Sequence, residues 1–238
     1  MIPDFIKSLV PARLFARASS TWPAPLREYM SRKCKPDKSK PLGEVRFVVF
    51  DTETTGLDLS KNRLLSIAGV AMNGAEVALD DTFDVMVAQT DVGGAEAAVV
   101  HGLISNDLVG GLPEAEAVAE FLAFAGDSVL VAHHAAFDLR MLNKAISPHR
   151  GAKVWSPAVD TAQLARRVEV GPMPTSEARG ADDRESYRLD SLVSRYGIEV
   201  PERHTAAGDA LATALLFQRL LKKAERRGIQ TLGELLSR

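Results

Sequence analysis

The chain is short of several features that define whole classes of protein. A single cysteine, Cys34, leaves no internal disulfide framework and no thiolate-rich zinc site. No apolar run approaches the length of a membrane span. Neither charge is in large excess: 29 basic residues face 31 acidic ones, for a net charge of −2. That balance argues against a broad basic surface gripping duplex nucleic acid. The first residues also lack a continuous apolar core, being broken by Pro3, Asp4, Lys7 and Pro11, so they do not read as a secretory signal. Their arginines, serines and scarcity of acid are shared with organelle transit peptides. The simpler reading, a short amphipathic helix packed on the domain, is preferred, and the expected location is cytoplasmic. No internal repeat is visible.

What remains is ordinary globular composition, 46% hydrophobic and 25% charged, which predicts a sizeable core. A length of 238 residues leaves one large or two small domains open. Residues 1–43 stand apart, with Pro3, Pro11, Pro23, Pro25, Pro36 and Pro41 and a basic run ending at Lys35. They read as an N-terminal arm and linker ahead of a domain spanning residues 44–238. The run Val45–Phe50 is β-branched and aromatic, as a buried strand requires. Strands over Leu64–Met72 and Glu76–Val87 flank Asn73-Gly74, a hairpin signal. Downstream, helices over Pro113–Ala125, Phe137–Ile146, Thr161–Val168, Leu189–Tyr196 and Thr205–Arg227 alternate with short strands over Ser128–Ala132 and Val154–Val159. Antiparallel strands followed by alternating strands and helices give an α/β fold, a mixed sheet flanked by helices.

Three clusters carry chemistry. In Phe50-Asp51-Thr52-Glu53-Thr54-Thr55-Gly56-Leu57, two carboxylates lie two residues apart at the end of an apolar strand, so period two turns both to one face. Two adjacent anions there are costly unless cations compensate them. An isolated Asp-x-Glu is more often a solvated strand end. A calcium-loop reading fails because Asn62 stands where a bidentate Glu belongs and the loop follows a strand. In His133-His134-Ala135-Ala136-Phe137-Asp138, a short strand runs into a helix with Asp138 in its first turn, a position the helix dipole also favours for a plain acid. In His204-Thr205-Ala206-Ala207-Gly208-Asp209, His204 precedes a strongly apolar helix and Asp209 lies about a turn inside it, a poor place for an idle charge.

Together these clusters resemble the DnaQ-like 3′–5′ exonucleases, the DEDD superfamily in its histidine-bearing branch (DEDDh), over roughly residues 44–225. Phe47-Val-Val-Phe50, Thr54-Thr-Gly-Leu57 and Val159-Asp160-Thr161 fit the same pattern. Each motif is weak alone; three in order are specific. The resemblance implies a ribonuclease-H-like fold and hydrolysis of terminal phosphodiesters to nucleoside 5′-monophosphates. It also implies two Mg²⁺ or Mn²⁺ ions roughly 4 Å apart. Asp51 would bridge them, Glu53 and Asp209 would complete the ion that activates water, and Asp138 would serve the second. His204 would be the general base, a role suited to an imidazole near neutral pH.

Substrate contacts are expected from the backbone of Thr54 and Gly56, from His101 and Leu103 in a segment lining the nucleotide pocket, and from His134. Core packing and helix entry are equally available roles for Leu103 and His134. The implied substrate is a single-stranded 3′ end, with DNA favoured over RNA, and the arm is a candidate dock for a partner protein. The chain ends soon after its last helix, where polymerase-bound relatives carry a long tail, so stand-alone repair or trimming is expected over proofreading. A regulatory subunit on the same fold would be expected to lack a ligand carboxylate, and none is missing here. A nucleotide-binding signalling module would need a Walker-type loop, for which Gly93-Gly94 is far too weak.

Overall fold

The computed structural model describes residues 22–32, 36–90, 108–170 and 185–237. Its centre is strand β1 (Arg46–Thr54), which pairs antiparallel with β2 (Leu64–Asn73). β3 (Glu76–Met86) returns antiparallel beside β2 through the turn at Asn73-Gly74. Gly74 has φ +57°, and a side chain there would press on the Gly43 backbone at 2.8 Å, so this turn depends on glycine. On the other side of β1, the parallel strands β4 (Val129–Ala132) and β5 (Ala158–Asp160) complete a five-stranded sheet in the order β3-β2-β1-β4-β5. The expected mixed sheet is therefore the one that forms.

Helix α1 (Ala24–Ser31) precedes the sheet. Helix α2 (Glu114–Ala125) leads into β4, α3 (Ala136–Ala145) links β4 to β5, and α4 (Thr161–Val170) follows β5. The chain then forms α5 (Leu189–Arg195), the long α6 (Ala206–Arg226) and a final turn, α7 (Leu232–Leu236).

Strand periodicity divides the core in two. Phe47 and Val49 face α6, where they join Leu216, Phe217 and Leu220. Val48 and Phe50 face the other way, against Phe121 and Leu122 of α2. The same second core takes in Trp22, Leu26 and Tyr29, so a helix within the stretch read as an arm contributes buried side chains. The Tyr29 hydroxyl accepts the backbone N–H groups of Trp155 and Ser156 at 3.0 and 3.1 Å. Those amides are thereby taken from any sheet, and Pro157 has none to offer. The expected strand over Val154–Val159 accordingly shrinks to Ala158–Asp160.

Candidate active site

The period that buries Phe47 and Val49 against α6 continues into Asp51 and Glu53, putting both carboxylates on the α6 side of β1. The rings of Phe47 and Phe217 meet edge to face, 5.0 Å between centroids. From there, Asp209 lies about 12 Å back along the helix, and Asp51 about 13 Å forward along the strand. Helix and strand run in opposite directions, so the two acids arrive at the same end. Asp138 comes to that end from α3 and is buried. Its Oδ1 accepts a 2.6 Å hydrogen bond from the hydroxyl of Thr52, the residue between the two strand acids. Thr52 drew no attention as a site residue, because the sequence shows only a spacer there.

The loop before α6 has a strained backbone: Glu202 and His204 have φ +56° and +66°. Thr205 caps the helix, accepting the Gly208 N–H at 3.0 Å and donating to the Glu202 carbonyl at 2.7 Å. The loop lies so close to the first helical turn that a Cβ on Gly208 would sit 2.1 Å from the Glu202 carbonyl oxygen. The His204 backbone N–H donates to Asp209 Oδ1 at 3.1 Å, and the histidine itself is exposed. Arg203 reaches the same Oδ1 at 3.1 Å and also pairs with Asp190 on α5.

Electrostatics show how tightly the acids are gathered. Burial, then the charges of Asp138, Glu53 and Asp209, hold the Asp51 carboxyl well above the usual range, opposed by Arg203. Glu53 is pushed up to about 8 by burial and then by Asp209 and Asp138. Asp138 rises to about 7, chiefly through burial, against the opposing hydrogen bond from Thr52. Asp209 is also raised by burial, with Arg203 and His204 opposing.

Among the described residues, no three of His, Cys, Asp and Glu form a compact, ready-made metal cage. The donor set nevertheless fits a hard divalent cation: hard oxygens, mutually repelling and buried or half-buried, with Thr52 already orienting Asp138. Mg²⁺ keeps several waters, so it does not require three carboxylates in direct contact.

The remaining candidates are dispersed. Thr54 donates through its hydroxyl to the Gly56 carbonyl at 2.9 Å, closing the turn after β1. His134, exposed and at φ +58°, lines a cavity of about 430 Å³ together with Gln163, Arg166 and Arg188. A smaller cavity of about 160 Å³ opens beside Glu53. His133 stacks edge-on with His134 and is held by Thr161; burial lowers it to about 3, so it stays neutral. His101 and Leu103 lie outside the described residues.

A mixed five-stranded sheet with acids gathered at the end of its central strand defines a ribonuclease-H-like nuclease fold. Residues 48–217 match the Exonuclease (RNase_T) family model, and the chain belongs to that family. It is 40% identical over 202 residues to a DNA polymerase III subunit epsilon-like protein of Rhodobacter capsulatus, covering 83% of this chain and 27% of that protein. It is 31% identical over 193 residues to a DNA polymerase III PolC-type of Thermotoga maritima, covering 81% of this chain and 13% of that protein. The chain thus spans about a quarter or less of the length of these relatives. Among solved structures, E. coli Exonuclease I in complex with a dT13 oligonucleotide superposes with TM-score 0.62 at 16% identity, over 78% of this chain and 43% of that one. Exonuclease X in complex with 5′ overhanging duplex DNA gives 0.56 at 20% identity, over 76% and 93%. Among the described residues, no helix is long and apolar enough to cross a membrane.

Proposed function

We propose that the chain is a 3′–5′ exonuclease that removes nucleoside 5′-monophosphates from single-stranded DNA ends with the help of two divalent cations. The observation that carries this reading is the convergence of Asp51, Glu53, Asp138 and Asp209, each carboxyl raised by burial, with Asp51 and Glu53 raised further by the other acids. Such a cluster is stable in its charged form only with cations beside it. Bound there, divalent cations would neutralise charge at the phosphodiester and sharpen the attacking water. Asp51, Glu53 and Asp209 would hold them from the α6 side of the sheet, and Asp138, oriented by Thr52, from α3. His204, exposed at the mouth of the cluster, would take the proton from the attacking water. Its strained loop is braced by Thr205 and Gly208, so the imidazole is carried on a fixed support. The turn at Thr54 and Gly56 would receive the 3′ end, and His134 would meet the strand near its cavity. DNA is favoured because the chain is similar to a DNA polymerase III subunit epsilon-like protein and to a DNA polymerase III PolC-type, and the neighbouring fold was captured with dT13.

The test is digestion of matched 5′-labelled DNA and RNA oligomers, single- and double-stranded, with Mg²⁺, Mn²⁺ or EDTA. Stepwise shortening of single-stranded DNA from the 3′ end, lost in EDTA and restored by metal, is expected. Full activity in chelator, or shortening from the 5′ end, would overturn the reading; faster loss of RNA would replace its substrate.

A further inference from the structure

Arg203 sits where no cation-binding cluster obviously needs a basic residue. Its side chain is only 19% exposed, yet its two terminal nitrogens divide between Asp209 of α6 and Asp190 of α5. Asp209 Oδ1 already accepts the His204 N–H. The Arg203 Nη1 contact is at ion-pair distance but lacks hydrogen-bond alignment, leaving that nitrogen buried without a hydrogen-bond partner. A misaligned ion pair of this kind is held by charge rather than by direction and can be given up when a stronger charge arrives. Asp190, by contrast, is 60% exposed and stays available to hold the guanidinium once it lets go.

We propose that Arg203 is an internal counter-cation of the acidic cluster: it occupies Asp209 in the ion-free protein, yields that carboxylate when a divalent cation binds, and is retained by Asp190. This rests on the reading that the four acids hold divalent cations. Arg203 is therefore a positioning residue acting through Asp209, and Asp190 sets how firmly it competes. The nearby charge also reaches past its direct partner, since Arg203 opposes the upward push on Asp51. The device has a consequence for the resting protein: part of the repulsion among the carboxylates is offset without metal, at the expense of metal affinity.

Two substitutions should therefore act in opposite directions. Arg203→Gln removes the competitor and should tighten Mn²⁺ binding about tenfold, at the lower end of what changes around metal ligands do. Asp190→Asn leaves Arg203 wholly on Asp209 and should weaken Mn²⁺ binding by several-fold. Arg203→Lys keeps the charge and should stay near wild type. A residue that merely braced the loop would weaken binding, or leave it unchanged, in both the Gln and Asn variants. The measurement is calorimetric titration of Mn²⁺ into the full chain after chelator treatment, with circular dichroism to establish folding and thermal midpoints in EDTA. In EDTA, Arg203→Gln should melt below wild type, and Mn²⁺ should remove the difference. Unchanged or weaker Mn²⁺ binding by folded Arg203→Gln overturns the proposal. If that variant does not fold, unchanged or tighter binding by Asp190→Asn overturns it instead. A folded wild type that binds no Mn²⁺ overturns the cation reading itself, whereas wild-type binding abolished by Asp51→Asn leaves that reading standing and isolates the role of Arg203.

Discussion

Glu53 allows the charge on the cluster to be measured as stability. Its carboxyl rises from 4.5 to about 8 on folding, first through burial and then through Asp209 and Asp138. Between those values the folded chain binds more protons than the unfolded chain. The stability of metal-free protein therefore falls as pH rises from about 4.5 to about 8, and levels off above that. A shift of this size corresponds to at most about 5 kcal/mol at about 1.4 kcal/mol per unit. Glu53 is partly exposed, and water and side-chain relaxation reduce the cost, so about 1–3 kcal/mol is the working figure. Glu53→Gln keeps the shape and removes the charge. In EDTA at pH 8.5 it should melt higher than wild type by roughly 3–9 °C for a chain of this size. At pH 4 the two should nearly coincide. Saturating Mn²⁺ should reverse the order, because the wild type gains ligand stabilisation that the variant largely loses. Thermal unfolding of both proteins at the two pH values, with and without Mn²⁺, is sufficient. If Glu53→Gln is no more stable than wild type in EDTA at pH 8.5, burial and the neighbouring acids do not penalise the Glu53 charge as the structure implies.

Other expectations follow from individual contacts. His204→Ala should keep Mn²⁺ affinity near wild type while slowing turnover about 10²–10⁴-fold, with the residual rate rising as hydroxide replaces the base; a near-wild-type rate would remove His204 from the mechanism. Tyr29→Phe strands the buried N–H of Ser156 and the half-buried N–H of Trp155 and should cost about 1–3 kcal/mol, read by urea unfolding; no change would mean that water replaces the hydroxyl. A chain beginning at residue 44 loses Trp22, Leu26 and Tyr29 from the second core and should be less stable by several kcal/mol, at about 1.5–3 per large side chain; an unchanged melting point would establish residue 44 as a true domain boundary. Gly208→Ala forces a Cβ against the Glu202 carbonyl and should cost activity more than helix content; full activity would show that the His204 loop moves freely.

Much of the fold was legible because strong patterns agreed. The apolar run of β1, the Asn73-Gly74 turn and the long stripe of α6 all form where periodicity places them. Failures came where tertiary contacts outweigh local pattern. The proline-rich composition of residues 1–43 hides the spacing of Trp22, Leu26 and Tyr29, whose burial depends on a distant groove between α2 and the Trp155 segment. Helix α7 is too short to show an apolar stripe, although its capping box, Thr231 with Glu234, was a visible signal. In the site, the acids stood out because a charge in an apolar frame is conspicuous. Thr52, Asp190 and the bridging of Arg203 did not, since a hydroxyl, an exposed acid and a basic residue near a turn are common everywhere. Only a structure that brings α5, α6 and β1 together distinguishes them.

The helix that closes the core is also the one that delivers Asp209. Phe217 packs on Phe47 near the start of β1, and the ladder from there to Asp209 is unbroken α-helix, so the acid's position is set by packing more than by its own contacts. The strand obeys the same logic, because Asp51 and Glu53 share a face with Phe47 and Val49. A slip of one residue in β1 against β2 would bury the carboxylates toward α2 and turn Val48 and Phe50 toward α6. Register is held on one side by antiparallel pairing with β2, at whose end the Gly74 N–H donates to the Val45 carbonyl at 2.8 Å, and on the other by parallel pairing of Val48 with Leu130. The cluster therefore needs no dedicated scaffold: two core elements, each already fixed by its apolar face, bring opposed acids to one end of the sheet. Burial that would expel an unpaired charge is offset in part there by Arg203, whose guanidinium pairs with Asp209.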